Sequence, residues 1–530
     1  MSEPAKNSPS QEQPDRTRGP QAPAGADAAI EAEVKFELAE GAETPDLTGL
    51  LTPGETREHR LRAVYLDTPD LFLLRTRVTL RRREGGDDAG WHLKLPTGTD
   101  RLEVHAGLTE GDGRWRVPAP LREALDRHLG EAWTGRTGAD AGLVPAAVLT
   151  TRRAETDLAD ADGEVVAVLC DDVVHALPAD RRWRELEVEL RPGVDGALLE
   201  RVVEHLARQG VAVAESPSKL ARALEDDVSR IERGKGPRRT GPAARVVLAY
   251  AAEQVAVLHG REEDLRTDEP GAVHKARVAT RRLRSALRTF RDLFDRDVTD
   301  PLRDELRWYA GVLGGPRDAE VVRARVLEQI DAVPRRDDEG PVKRSATAEL
   351  DRVHAEAHAA LVEALDSIRY AALLDRLAEF LAAPPLRGRA GRRAVDVLPR
   401  LVDRAARRAQ REHAAARAAA GDERMHLLHE TRKRAKAVRY AHELLAPAFG
   451  EGAARQAGLW EQVTEGLGQV QDIDVALEAL RRLRRAAEAA GEPTYTYGYL
   501  IGWQTALQGP AVAAGEQALE AALAEALAEA

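Results

Sequence analysis

Glu31-Ala32-Glu33-Val34-Lys35-Phe36 decides how the first half of the chain is read. As a strand it puts Glu31, Glu33 and Lys35 on one face and Ala32, Val34 and Phe36 on the other, because strand side chains alternate with a period of two. The apolar face asks for a core. The opposite face carries two carboxylates and an ammonium together, which a solvated edge strand tolerates. Whether it is such an edge depends on the strands that follow.

Short alternating runs recur at 29–38, 58–66, 76–84, 90–95, 101–106, 147–157, 165–174 and 183–190, separated by Gly/Asp-rich turns such as Glu84-Gly85-Gly86-Asp87-Asp88. Their number and spacing predict an eight-stranded β-barrel or sandwich, with helices over 120–129 and 195–209. The runs share an oddity. Arg81 and Arg83, His92 and Lys94, Arg101 and Glu103, and Glu185, Glu187 and Glu189 each form a strand face without an apolar residue, opposite Leu80, Leu93, Leu102, Val104, Leu186 and Val188. If the apolar faces pack outward against helices, the charged faces converge on the bore of a closed sheet. Glutamate ladders are hard oxygen ligands for Mg²⁺ or Mn²⁺. Arg and Lys grip phosphate oxygens, as fork and point charge respectively. Both in one cavity point to phosphoryl transfer with metal-assisted charge neutralisation.

Composition narrows the classes. A chain of 530 residues exceeds one core and predicts several domains. Aromatics are only 4%, so Leu, Val and Ala must build the cores, which favours long helices. The single cysteine, Cys170, excludes intrachain disulfides and thiolate metal sites and sets a cytoplasmic expectation. No apolar run is long enough to span a bilayer, so no membrane partner is expected. The polar segment 1–28 reads as a disordered tail. A net charge of -11 argues against a nucleic-acid partner, although a basic groove can sit inside an acidic protein. Lysine is scarce beside arginine. Outside tail and linker, the first half keeps only Lys35, Lys94 and Lys219.

These residues resemble a known family. Glu31-x-Glu33-x-Lys35 resembles the ExExK signature of the CYTH domain, the triphosphate tunnel metalloenzymes. Tyr65-Leu66-Asp67-Thr68, Leu80-Arg81-Arg82-Arg83, Leu93-Lys94, Arg101-x-Glu103, Glu185-x-Glu187-x-Glu189 and Ser218-Lys219 follow in the family's order. The resemblance implies an eight-stranded antiparallel tunnel over 29–225 that binds a triphosphate with Mg²⁺ or Mn²⁺. It implies phosphate binding by Lys35, Arg81, Arg83, Lys94 and Arg101, metal binding by Glu31, Glu33, Glu185 and Glu187, and a catalytic centre at Glu31, Glu33 and Lys35. Arg153 and Lys219 join the phosphate set, with Glu103 and Asp171 as further candidates. The register of Arg152/Arg153 and Asp171/Asp172 stays open, because a slip of one residue turns a side chain out of the bore. Glu189 shares the acidic face but lies further along, outside the metal set.

A Gly/Pro/Arg-rich linker at 226–242 ends this composition. Residues 243–525 are Ala/Leu/Arg-rich and read as helical, with a repeat: the segment from His274 to Arg284 reads against that from His429 to Arg439, and Leu313-Gly314 to Asp318 against Leu467-Gly468 to Asp472. Two helical bundles related by duplication follow, at about 243–375 and 395–525. Each carries a basic stripe at helical spacing: His274, Arg277, Arg281, Arg284 and Arg288 in the first, and His429, Arg432, Lys436 and Arg439 in the second, with Lys433 beside them. Like charges at i,i+4 repel by about 0.2–0.5 kcal/mol per pair, so an unrelieved column calls for an anion. Few aromatics interleave, which speaks against single-stranded nucleic acid and for a long inorganic polyanion. This half resembles the CHAD domain, a duplicated helical family associated with polyphosphate binding. Because Val278 stands where the second copy has Lys433, binding is expected to weigh toward the C-terminal copy.

The expected whole is an α+β multidomain protein, a β tunnel followed by an all-α duplicated bundle. Its expected activity is metal-dependent hydrolysis of inorganic triphosphate or a relative, with a polyphosphate-docking module and a cytoplasmic, granule-associated place. The alternatives are a non-catalytic polyphosphate-binding or granule-targeting protein, and thiamine triphosphatase or adenylate cyclase chemistry in the tunnel.

Overall fold

The alternating runs fold as nine strands: β1 (Asp27–Glu31), β2 (Glu33–Leu38), β3 (Thr52–Asp67), β4 (Thr79–Glu84), β5 (Gly90–Thr97), β6 (Asp100–Gly107), β7 (Val144–Ala159), β8 (Val165–Leu177) and β9 (Arg181–Leu190). The structure is a computed structural model, described for residues 27–39, 41–97, 100–108, 115–136, 142–234, 236–333 and 342–528. Most of the expected N-terminal tail lies outside these residues, although β1 begins within its last two positions. One sheet runs β1-β6-β5-β4-β3-β7-β8-β9-β2, every pairing given being antiparallel. Its two ends, β1 and β2, are halves of one predicted strand interrupted only at Ala32. The first half pairs with β6 and the second with β9, and Leu190 N donates to Ala32 O at 2.9 Å, so the sheet closes into an eight-stranded tunnel.

Closure sorts the side chains by parity. Helices cover the outer face: α2 (Ala119–Leu129) packs Leu121 and Leu125 on Leu80, Leu93 and Val104, and α4 (Ala197–Arg208) packs Val202 and Leu206 on Phe36, Leu186 and Val188. The inner face is not polar throughout. At one end Tyr65, Leu149, Ala176 and Trp183 point inward, and Leu220 and Leu224 of α5 (Lys219–Glu232) pack against them. Helix α5 therefore stops that end of the bore and runs seven residues past the expected domain limit at 225. The short helices α1 (Phe72–Arg75) and α3 (Glu131–Thr134) complete this half. The turn between β4 and β5 needs Gly85, with φ 82°, where a Cβ would meet Arg60 O at 2.2 Å.

The remainder is helical: α6 (Ala243–His259), α7 (Glu262–Arg266), α8 (Ala272–Thr289), α9 (Arg296–Val312), α10 (Gly314–Ala332), α11 (Val342–Leu365), α12 (Ile368–Ala382), α13 (Ala394–Ala418), α14 (Gly421–Phe449), α15 (Glu451–Ala490) and α16 (Tyr495–Ala528). The repeat is visible in α8 and α14, whose buried faces, Ala276, Leu283 and Leu287 with Ala435, Val438 and Ala441, share one core. The two halves touch: Ala378 and Ala382 of α12 pack on Val64, Trp115 and Val148, and Arg116 pairs with Glu262 at 2.6 Å. Among the described residues no helix is long and apolar enough to cross a membrane.

Candidate active site in the tunnel, and the basic helical face

Glu187, at the middle of β9, is the point on which the bore converges. It is 3% exposed and contacts Lys35 from β2, Arg153 from β7 at 2.9 Å and Lys219 from α5 at 2.7 Å. Lys35 also reaches Glu33 at 2.8 Å; Lys219 reaches Asp172 at 3.0 Å and Glu185 at 2.8 Å; Arg153 grips Asp172 with two nitrogens, at 2.9 and 2.8 Å. This settles the open register: Arg153 and Asp172 face the bore, whereas Asp171 faces outward to Arg184 at 2.6 Å. Burial alone would raise the Glu187 and Asp172 carboxyls. Lys219 and Arg153, with Lys35 at Glu187, hold both below their ordinary values. Burial opposes the charge on Lys35 and Lys219 as well, and their carboxylates hold both above the ordinary lysine value.

Two carboxylate groups share Glu187. Glu33, Glu187 and Glu189 bring oxygens within 4.8 Å of one another, and so do Asp172, Glu185 and Glu187. Glu189 is therefore placed with Glu33 and Glu187 rather than beyond them. Burial, then Glu187, then Glu33 push its carboxyl up, although Arg153 and Lys94 pull the other way. Such a crowded all-oxygen set fits a hard divalent cation. Glu31 pairs through its backbone with Arg101 on β6, and its side chain lies outside the described residues.

The other wall is cationic. Arg81 donates to Tyr65 Oη at 3.3 Å, Arg83 pairs with Asp88, and Arg101 donates to Pro217 O at 2.8 Å, beside the start of α5. Burial, then Arg81, then Arg153 lower Arg83 to about 10, and its Nε is buried without a hydrogen-bond partner. His92, absent from the expected set, bonds Glu103 at 2.8 Å and is kept neutral by burial and by Arg81 and Arg83. Lys94 pairs across the ladder with Thr79 and Glu103. Asp67 of the Tyr65-x-Asp67-Thr68 motif has a different place. It is wholly buried and accepts from the backbone N–H groups of Thr68, Leu73 and Leu74 at 2.7, 2.8 and 2.9 Å, capping α1. Cys170 lies on the bore face, paired across the ladder with Glu187, and burial pushes its thiol up, which makes it a poor nucleophile.

In the helical half the two stripes meet. Lys436 of α14 is lowered to about 7 by burial, then by Arg432, Arg281 and Arg277. Arg281 Nε is buried without a hydrogen-bond partner, and His274 is held below its ordinary value by burial, then by Arg317 and Arg281. His429, also lowered by burial, stands beside Lys433 and Arg432. The Arg432 guanidinium lies against Gly468 of the repeated Leu-Gly element, where a Cβ would come within 2.7 Å of Nη2. Acids temper the cluster: Asp318 of α10 pairs with Arg277 at 2.6 Å, and Glu443, one turn further along α14, with Arg439 at 2.8 Å. Lys433 is 54% exposed and pairs with Glu430 at 2.7 Å, so the extra lysine of the second copy stands apart. Arg284 lies near Arg307 and Arg303 of α9, and Arg288 lines a small cavity with Arg291, Arg404, Arg408 and Arg434. The basic face thus spans more helices than the two stripes.

A closed antiparallel tunnel with carboxylates and cations interleaved in its bore, joined to a duplicated helical bundle, defines the class. Residues 29–224 match the CYTH domain and residues 249–481 the CHAD domain, and the chain belongs to the family of proteins that carry both. An uncharacterized protein of Mycobacterium tuberculosis strain H37Rv is 35% identical over 497 residues, covering 89% of this chain and 92% of its own. The thiamine-triphosphatase of Macaca fascicularis is 38% identical over 98 residues, 18% of this chain and 40% of that protein. Among solved structures, PptA from Streptomyces chartreusis aligns with a TM-score of 0.43 and 23% identity over 53% of this chain and 99% of its own.

Proposed function

We propose that the tunnel is a metal-dependent triphosphatase acting on inorganic triphosphate, and that the paired basic helices bind inorganic polyphosphate. The observation that carries the first part is Glu187, shared by two carboxylate groups and surrounded by Lys35, Arg153 and Lys219. Glu33, Glu187 and Glu189 would hold Mg²⁺ or Mn²⁺, which supplies charge neutralisation and an acidified water when bound. Arg81, Arg83, Arg153, Lys35 and Lys94 bind the phosphate oxygens and orient the chain along the bore. Helix α5 closes one end and keeps bulk water from it, while Asp172 and Glu185 fix the Lys219 ammonium beside the reacting phosphate. The convergence of Arg277, Arg281, Arg432 and Lys436 supports the second part: cations crowded onto one face suit a polyanion. A cytoplasmic, granule-associated protein fits both parts.

The segment similar to a thiamine-triphosphatase supports a second substrate, thiamine triphosphate. One assay separates the readings: phosphate release from inorganic triphosphate, ATP, thiamine triphosphate and long polyphosphate, each with Mg²⁺ and Mn²⁺. Inorganic triphosphate is expected to be preferred. Release no greater than that of a Glu33→Ala variant on every substrate would sink the enzymatic reading and leave a binding protein.

A further inference from the structure

Helix α16 begins after the residues matched to the CHAD domain. Its inner face is fully employed: Tyr497 and Leu500 pack with Val326, Leu350 and Leu480, and Gln508 donates to Asp474 at 2.7 Å. The outer face is apolar. Tyr495, Tyr499, Trp503 and Leu507, four residues apart, are 52%, 41%, 40% and 38% exposed. They form a ridge along one i±4 row. Beside it Gly498, Gly502 and Gly509 have open space where a Cβ would stand, so a groove runs along the ridge. From Pro493 to Gly515 the sequence has no charged residue, in a chain that is 32% charged. The flanking acids are engaged elsewhere, Glu492 with Ser345 and Glu516 with Arg424.

We infer that this ridge and groove form a homodimer surface, on which two copies pair α16 against α16, antiparallel about a two-fold axis near Gly502. A ridge beside a groove on one helix is self-complementary under such an axis, because each ridge enters the other copy's groove. Charge favours a second copy. The chain's net charge of -11 sets copies against each other over most of their surface, and this face brings no charge to a self-contact. A lipid surface would select Lys and Arg alongside the aromatics, and there are none on this stretch. A specific interface removes roughly 1,200 Å² or more in total, so the two ridges and the residues flanking them must be covered together.

The test is sedimentation equilibrium of the full chain at micromolar concentration, with and without Tyr499→Glu/Trp503→Glu. A dimer is expected, its dissociation constant raised at least about tenfold by the double variant, with circular dichroism unchanged because the ridge is exposed on each separate copy. Gly502→Cys adds an independent readout: Cys170 is buried, so a covalent dimer formed on mild oxidation reports the two-fold axis at that position. A wild-type chain that sediments as a monomer, including one that co-sediments with vesicles or captures another protein, would overturn the proposal. So would a dimer unaffected by the double variant.

Discussion

Lys219 Nζ reaches from the first turn of α5 to within 2.7 Å of the Glu187 carboxylate on β9, tying the helix that closes the bore to the strand that carries its acids. Both groups are buried, and removing Lys219 takes one cation from Glu187, Asp172 and Glu185 together, leaving Glu187 with Lys35 and Arg153 only. Lys219→Ala is expected to destabilise the metal-free tunnel by about 3 kcal/mol, the range for breaking a buried pair. Millimolar Mg²⁺ is expected to restore part of that loss, because the exposed acids gain a cation. Urea unfolding with and without Mg²⁺ checks this, and equal losses in both conditions would contradict it.

The acids of the bore differ in consequence. Glu187→Gln removes the member common to both groups, and Glu189→Gln removes one of the oxygens gathered near Glu33. Each is expected to lower metal-dependent phosphate release by about 10²-fold or more, the scale for a group that fixes charge at a reacting centre. Glu37→Gln, on the same strand as Glu33 but paired with Arg222 at 3.2 Å beside the closing helix, is expected to stay within about threefold of wild type. Equal effects at Glu37 and Glu189 would remove the distinction.

Much of this was legible before the structure, and the reasons for the remainder are physical. Period-two alternation located every strand, and faces without an apolar residue marked the bore. Closure was expected from the charged faces, but the pairing that achieves it was not legible, because that of β1 with β6 and of β2 with β9 is non-local and turns on Ala32. Glu189 escaped because parity names a face, while depth along the bore depends on stagger between strands, and Asp172 stayed undecided against Asp171 because a slip of one residue exchanges their faces. The Ser218-Lys219 motif gave no hint that α5 enters the barrel end. Asp67 sits in a motif that reads as functional, yet it caps a helix of four residues, too short for periodicity to reveal. Lys433 and Lys436 look equivalent in sequence and lie only about 60° apart around α14, yet Lys433 is turned to solvent and held by Glu430, whereas Lys436 is buried beside Arg277 and Arg281 of the first repeat.

Lys436 makes polyanion binding sensitive to pH. Burial and three neighbouring arginines hold its ammonium at about 7, well below an unfolded lysine. A folded value that is depressed means the fold loses stability as pH falls from the unfolded lysine value toward 7. A bound anion favours the charged form and relieves this. Affinity for polyphosphate is therefore expected to fall as pH rises from 7 to 8.5, by at most about tenfold per unit for one proton. His274 and His429, lowered from the ordinary histidine value, titrate below that window. Lys436→Arg, charged throughout, should bind without this dependence. Calorimetric titration at constant ionic strength decides it, and a wild-type affinity that is flat above pH 7 would refute the assignment.

Salt dependence gives a separate measure of the cluster. Arg281→Ala and Arg432→Ala are each expected to weaken polyphosphate binding and to reduce the slope of log affinity against log salt by about one. Lys433→Ala should leave both nearly unchanged, since its ammonium is engaged by Glu430 on the exposed side.

Asp67 tests the reading of the Tyr65-x-Asp67-Thr68 motif as structural. Its carboxylate accepts from three backbone N–H groups, and Asp67→Ala strands them in the core, a loss of about 2–3 kcal/mol by the cost of buried unsatisfied donors. Asp67→Asn keeps one acceptor oxygen and should lose less. The pH dependence has a definite sign. Burial outweighs the three donors and raises the carboxyl to about 7, so the fold favours the protonated form. That contribution is full below about pH 4, the unfolded aspartate value, and is lost as pH rises through 7. The stability of wild type relative to Asp67→Asn is therefore expected to decline between about pH 4 and 7 and then level off. Urea midpoints at intervals across that range measure it. A difference that grows with pH would mean the N–H groups hold the carboxylate charged, and that the cap works as an anion site instead.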